Sequence, residues 1–531
     1  MNLKQQRYRL FSHIMWGKKK RDYRNKYLAL KSPTQSNTSD VNQSAQRIDK
    51  NVLHIAIAEG GGLGDALIQL VYLKEIKKMF RKPVVLDFYC RHYHAFENTP
   101  FIDHVFKYSD THPVHLYDVY IVSRRFYIIC KINEKKTRAF SSRFYKFCMK
   151  SKHLTDSVLK REYNDNLYSQ YALLFGKNRQ EQSDVYGYIP VTRYTPSFLS
   201  WKEEAFSVLQ RLDLKDVPYI TFCRAVDAKY GEGHPKLWPL PYYNRLIALI
   251  RKHYPKIKLV QVGTPQKAMK GVNLNVTGKT NLEEIKVLLK YSMLHVDGEG
   301  GLVHLKHLLQ GVSVVLFGPT DPKIFGYDNN VNLTSQACKQ PCEWVTPNWT
   351  EACLKGKQPA ACMQQLFPEK VFDAVKTYID NLPKFEYKFL KEDKCPRMVG
   401  KSVAIIGREI SKELGKHLKG TKSITVYNEH GNVRQSIKPH NVDYVKNIWE
   451  CSYKAEFSTP YNISAPSNTY DYVYISKLDD DKYCTYVVKE ALRIVKPAGT
   501  VVLPTQNLPP KEIYSIVSFK EPKNFILIKK S

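Results

Sequence analysis

The chain lacks long apolar runs. In its 531 residues the longest, such as Val312 to Phe317, stop after about six. A membrane-crossing helix needs about twenty, so a spanning protein is excluded. Acid is scarce beside base: 50 Asp and Glu face 82 Lys and Arg, a formal charge of +32. That imbalance calls for an anionic counterpart, with nucleic acid, acidic phospholipid and phosphorylated small molecules all eligible. The 23 Phe, 36 Tyr and 6 Trp are spread out and form no aromatic-basic module of the RNA-binding kind. No Gly-x-Gly-x-x-Gly and no P-loop is present, because Leu67 stands three positions after Gly64 and Asn273 stands where Gly278-Lys279-Thr280 would need a glycine. The basic N-terminus has no apolar core of a secretory signal, so the protein is expected to stay where it is made. No Cys-x2-Cys pair occurs, which removes the commonest zinc signature. Collagen-like, coiled-coil and mucin-like compositions are absent too. With 43% apolar and 25% charged residues the chain is globular, of roughly three domains.

Residues 1–50 carry 12 Lys and Arg against 3 Asp, a net +9. This head and its polar 33–48 stretch read as a tail and linker. It is either a solvated tail or a patch for anionic lipid, since Phe11, Ile14, Met15 and Trp16 sit among the charges. From residue 52 a strand, a glycine turn, an amphipathic helix (66–80) and a second strand (83–89) open a βαβ pattern, which predicts a parallel sheet. A second α/β run starts near 217 and alternates strands and helices as a doubly wound sheet does, closing with a helix over 368–382. A charged hinge, 386–400, leads to a third βαβ-like unit. The expected division is a tail (1–50), a first α/β domain (51–195), a second (196–385) and a small third (400–531).

Four turns carry candidate chemistry. Gly60-Gly61-Gly62-Leu63-Gly64-Asp65 joins strand to helix, where Gly62 and Gly64 let a ligand approach the backbone. Asp65 reads either as a helix cap or as a general base. Lys236, in Pro235-Lys236-Leu237-Trp238-Pro239, and Arg224 upstream suit a diphosphate, or else belong to an ordinary basic loop. Asp297-Gly298-Glu299-Gly300-Gly301-Leu302-Val303-His304 is a third strand-turn-helix, either a structural turn with a packing histidine or an anion nest with Glu299 for sugar hydroxyls and His304 for a phosphate. Phe317-Gly318-Pro319-Thr320-Asp321-Pro322 offers the Thr320 hydroxyl and backbone N–H. Cys338, Cys342, Cys353 and Cys362 are spaced irregularly for zinc; packing thiols, a metal knot and disulfides all remain open, and no metal is assigned.

Taken in order, these four turns resemble glycosyltransferase family 9, the ADP-heptose lipopolysaccharide heptosyltransferases, over about residues 52–382. The family's Asp-Ser/Thr-Gly-x-x-His frame is filled here by Glu299-Gly300-Gly301-Leu302-Val303-His304. The resemblance implies a GT-B fold of two Rossmann-like domains, with the acceptor against the first and the donor against the second. It also implies inverting, metal-independent transfer without a cofactor, from a nucleotide-sugar, with ADP-heptose expected, to a lipopolysaccharide core or other lipid-linked acceptor. Asp65 would be the base, with Gly62 and Gly64 beside the acceptor. Arg224, Lys236, Glu299, Gly300, Gly301, Leu302, His304 and Thr320 would hold the donor. A cytoplasmic protein, peripheral on the inner face of the inner membrane and without nucleic-acid partners, is the matching expectation. A non-catalytic glycan- or nucleotide-binding protein is the alternative. Residues 470–504 resemble the fourth strand, helix and fifth strand of a class I methyltransferase. Arg408-Glu409-Ile410-Ser411 lacks that fold's glycines, with only Glu429 available as a ribose-binding acid, so this unit is expected to be non-catalytic.

Overall fold

The computed structural model describes residues 51–160 and 176–382, short breaks aside, and beyond them 385–390, 398–406, 421–428, 452–457, 462–475, 484–504 and 525–530, again with short breaks. The basic head, the turn Arg408–Ser411 and Glu429 lie outside the described residues. The chain divides into two compact units. One comprises 1–195 and 201–375, the other 196–200 and 376–531.

The first unit holds two sheets. In the first sheet β1 (Leu53–Glu59) lies at the centre, between β2 (Val84–Cys90) and β4 (Val119–Ser123), in the order β3-β2-β1-β4-β5 with β3 (His104–Lys107) and β5 (Tyr127–Ile132) at the edges. All pairs are parallel except β4 with β5. Five of the seven β1 residues are fully or almost fully apolar-packed, as a central strand covered on both faces requires. Helix α1 (Leu63–Lys78) begins before the apolar run read from sequence. Ala66 through Lys74 are all buried, so this helix is enclosed on every side. Helices α2 (Glu134–Phe140) and α3 (Ser142–Lys160) follow.

The second sheet has the order β11-β10-β9-β6-β7-β8 and is wholly parallel. Its strands are β6 (Tyr219–Phe222), β7 (Lys258–Gln261), β8 (Leu274–Asn275), β9 (Leu294–Gly298), β10 (Ser313–Leu316) and β11 (Val331–Leu333). The connecting helices include α4 (Ser207–Arg211), α5 (Leu240–His253), α6 (Leu282–Tyr291), α7 (Gly301–Leu308) and α8 (Pro322–Phe325). Asn281 caps α6, accepting from Glu284 N at 2.9 Å while Glu284 returns a bond to Asn281 N. The Gly278–Thr280 segment is a loop, with Gly278 at φ +69°. Helices α9 (Ala361–Gln364) and α10 (Pro368–Asp380) complete this half. Two mostly parallel α/β sheets in succession constitute the GT-B arrangement.

The second unit is a seven-stranded sheet, β12-β18-β17-β16-β13-β14-β15. Its members are β12 (Phe385–Leu390), β13 (Ser402–Ile406), β14 (Ser423–Asn428), β15 (Ser452–Phe457), β16 (Tyr470–Ile475), β17 (Val495–Pro504) and β18 (Phe525–Lys530), with α11 (Cys484–Ile494) between β16 and β17. The segment expected to be a charged hinge therefore contains a strand: β12 pairs antiparallel with β18 at the sheet's edge. Charged residues are tolerated, even favoured, on an edge strand, which is why the segment reads as a hinge.

Candidate active site

The site is built where strands of the two parallel sheets end and helices begin. Glu59 is the last residue of β1 and Asp65 lies in the first turn of α1. Gly61 N–H donates to Glu59 Oε1 at 2.8 Å and Gly62 N–H to Asp65 Oδ2 at 3.3 Å. A Cβ on Gly61 would sit 2.7 Å from Asp65 Oδ2 and 2.9 Å from Glu59 Oε1, so only glycine lets both carboxylates converge there. Glu59 is buried, whereas the Asp65 side chain is 39% exposed. Burial, and then the neighbouring Asp65, push the Glu59 carboxyl up to about 7. Asp65 Oδ1 accepts from Arg179 Nη2 at 3.0 Å, and Arg179 is itself buried. Asp65 thus acts as a cap for the helix start and also holds an ion pair.

On the second sheet, Glu299 follows β9 and is buried. Its Oε2 accepts from Lys236 Nζ, and its Oε1 lies 3.6 Å from His304 Nε2. Burial alone would raise this carboxyl. Lys236 and His304 outweigh it and hold Glu299 well below the usual carboxylate range. The other His304 nitrogen, Nδ1, bonds the Tyr327 hydroxyl at 2.6 Å, so both ring nitrogens face protein groups. Lys236 also lies over the Trp349 ring, 5.6 Å from its centre. Burial, and then the Lys236 charge, push the imidazole of His234 down to about 4.

The Thr320 turn packs against the Lys236 loop: a Cβ on Gly318 would meet Pro235 O at 3.1 Å. Thr320 is buried, and its Oγ1 has no hydrogen-bond partner among the described residues. A buried orphan hydroxyl is unusual and points to a ligand oxygen. Arg224 is buried just after β6, and its backbone N–H donates to Gln266 Oε1 at 3.3 Å. Gly300 is the residue before α7, in extended backbone, and the half-buried Leu302 lies in the helix's first turn.

The two halves meet at the starts of α1 and α7. A Cβ on Gly64 would lie 2.7 Å from His304 Cδ2, and one on Gly301 would lie 3.3 Å from Leu63 Cβ. Gly62, by contrast, faces open space. The glycine turn read as the acceptor side and the acidic turn read as the donor side are thereby brought together, with two helix N-termini converging between them. Arg179 crosses the same junction: its backbone N–H donates to Ile324 O of α8 at 2.7 Å while its side chain holds Asp65.

Glu59, Arg179 and Tyr327 belong to this site and do not emerge from the motifs. Glu59 had a local signal, an acid closing an otherwise apolar strand; Arg179 and Tyr327 had none. Cys338, Cys342, Cys353 and Cys362 are free thiols, and burial pushes Cys342 up to about 11 and Cys362 up to about 12. The Cys342 N–H donates to Pro319 O at 3.0 Å, tying the cysteine segment to the Thr320 turn. Among the described residues no group of three or more His, Cys, Asp or Glu is arranged to hold a metal ion.

Residues 135–356 match the model for Glycosyltransferase family 9 (heptosyltransferase). This part of the chain is similar to glycosyltransferase family 9. That stretch includes Arg179, Arg224, Lys236, Glu299, His304 and Thr320, and begins beyond Asp65. It marks the chain as an enzyme of the glycosyltransferase class. No curated protein matches the chain. Among solved structures, a glycosyl transferase family 9 protein from Veillonella parvula DSM 2008 is 14% identical, covering 64% of this chain and 100% of its own, with a TM-score of 0.41. The ADP-heptose lps heptosyltransferase II of E. coli is 13% identical, covering 62% and 98%, with a TM-score of 0.41. The N-methyltransferase NodS from Bradyrhizobium japonicum WM9 is 11% identical, covering 25% and 85%, with a TM-score of 0.18.

Proposed function

We propose that the chain transfers a sugar, a heptose first among candidates, from a nucleoside-diphosphate donor to a hydroxyl of a lipopolysaccharide core or related lipid-linked glycan. The observation that carries this reading is the junction itself: a half-exposed carboxylate, Asp65, stands across two touching helix starts from the cluster Lys236, Glu299 and Thr320. Asp65 takes the proton of the acceptor hydroxyl as that oxygen bonds the anomeric carbon. The bond from that carbon to the diphosphate breaks on the opposite face, its electron pair leaving with the phosphate, so configuration inverts. Lys236, Arg224, the N-terminus of α7 and the Thr320 hydroxyl offset the charge of the departing diphosphate, which is why the reaction is proposed to run without a metal. Glu299, kept ionised, accepts hydroxyls of the donor. His304, engaged at both nitrogens, acts by orienting Glu299 rather than by touching phosphate.

ADP and ADP-heptose should each raise the melting temperature of the full chain, because a ligand that binds only the folded state stabilises it. An oligonucleotide that stabilises it instead, with a steep salt dependence, would replace this reading with nucleic-acid binding. The second unit is proposed to be methyltransferase-like in fold and without catalysis. Titration of the full chain with S-adenosylmethionine should give no binding tighter than about 100 μM, roughly −5.5 kcal/mol; tighter binding would refute it.

A further inference from the structure

Arg179 is a buried cation whose position needs a reason. Its side chain is 3% exposed, and Nε and Nη1 are buried without hydrogen-bond partners among the described residues. Its one side-chain hydrogen bond there runs from Nη2 to Asp65 Oδ1. Burying a guanidinium costs several kcal/mol, and pairing it with a carboxylate that is still two-fifths solvated recovers little of that. Stability therefore does not account for the arrangement. Positioning does: the guanidinium fixes which way Asp65 points, and an adjacent cation favours the ionised carboxylate, the form that can accept a proton.

We infer that Arg179 is the positioning residue of Asp65, holding its carboxylate ionised and aimed into the cleft, and anchoring it through the Arg179 backbone to the donor-side helix α8. This rests on the reading of Asp65 as the base. Among the described residues, three groups from neighbouring elements interact with the pair. Glu59 comes from the end of β1, Tyr127 from β5 and Tyr327 from beyond α8; all three interact electrostatically with Arg179, and Glu59 interacts also with Asp65. Glu59 competes weakly for the guanidinium, because burial, and then the Asp65 charge, keep its carboxyl up at about 7. Both tyrosine hydroxyls are held neutral by burial. Asp65 is thus the carboxylate to which the Arg179 side chain donates. The Ile324 bond uses the Arg179 backbone, so replacing the side chain leaves that anchor in place.

The test is a pH profile of kcat/KM for sugar transfer by Arg179→Gln, Arg179→Lys, Asp65→Asn and the double variant Asp65→Asn/Arg179→Gln, with ADP affinity measured alongside. Arg179→Gln should lower kcat about tenfold or more, leave ADP affinity within about twofold, and move the acidic limb of the profile to higher pH. Arg179→Lys, or added guanidinium ion, should restore part of the rate. In the Asp65→Asn background, Arg179→Gln should change kcat by less than about twofold, since the group it positions is gone. An acidic limb that stays put in Arg179→Gln, or losses that multiply independently in the double variant, overturns the inference. Full turnover by Asp65→Asn alone would instead overturn the base reading, and is a separate outcome. If Arg179→Gln does not fold, Arg179→Met, which also removes the charge, and its combination with Asp65→Asn should show the same shift of the acidic limb and the same cycle.

Discussion

Glu299 and Lys236 are the residues whose energetics reach furthest, because both are largely buried and each neutralises the other. Deleting one charge of such a pair strands its partner in a poorly solvated place. Lys236→Met should therefore destabilise the fold by about 3–5 kcal/mol and weaken ADP binding by about 1.5–3 kcal/mol. Adding Glu299→Gln to Lys236→Met should recover much of the stability and none of the binding. Urea unfolding and ADP calorimetry on the three proteins separate the two effects. Equal stability of Lys236→Met and parent would mean the pair is solvated and the site more open than described. At this scale the sequence was partly legible. Lys236, Glu299 and Asp65 stand out as charged residues beside glycine or proline where helices begin, although a helix cap or an ordinary basic loop also fits the sequence there. Arg179 and Tyr327 did not stand out, because their partners lie 114 and 23 residues away and no local pattern encodes such a meeting.

The decisive contact between elements is that of α1 with α7. Gly64 lies inside the first turn of α1, where glycine costs about 1 kcal/mol relative to alanine in an ordinary helix. Here the missing Cβ is what lets His304 of α7 approach. Gly64→Ala should therefore destabilise rather than stabilise, by about 1–3 kcal/mol for an overpacked contact. It should lower transfer more than it lowers ADP affinity, because it spreads the base from the donor turn. Thermal melts with kcat and ADP titration check this; a more stable, fully active Gly64→Ala would show that the helices do not need to touch. The same glycine explains a boundary error. Apolar spacing places the start of α1 at residue 66, whereas the helix starts at Leu63, because the glycine-rich turn hides its first residues from a periodicity argument. The βα alternation over 52–89 and from 217 was legible because its buried parallel strands are short apolar runs, whereas the strands and helices over 104–160 were not placed from the sequence. β12 and β18 were not, since their pairing joins 385–390 to 525–530 across the whole second unit.

For the whole molecule the dominant quantity is the charge of +32. Among the described residues no helix is long and apolar enough to cross a membrane. The proposed lipid-linked acceptor would be met at a membrane surface, and a basic head of net +9 over residues 1–50 suits an anionic one. Each basic residue near such a surface contributes about 1 kcal/mol, screened beyond about 10 Å at 0.1 M salt. Co-sedimentation with anionic vesicles should be strong at low salt, weak at high salt, and reduced when residues 1–35 are removed. Equal binding with and without them would move the docking to the folded units, and no binding in either case would refute surface docking.

The central claim is that Asp65 and the Lys236–Glu299–Thr320 cluster together transfer a sugar. Mass analysis of a truncated lipid-core acceptor, incubated with the full chain and a panel of nucleotide-sugars led by ADP-heptose, tests it most directly. The expected result is an acceptor heavier by one sugar residue, formed about 10²-fold or more slowly by Asp65→Asn at undiminished ADP affinity. ADP binding with no mass added to the acceptor from any donor would contradict the account and leave a nucleotide-binding protein in its place.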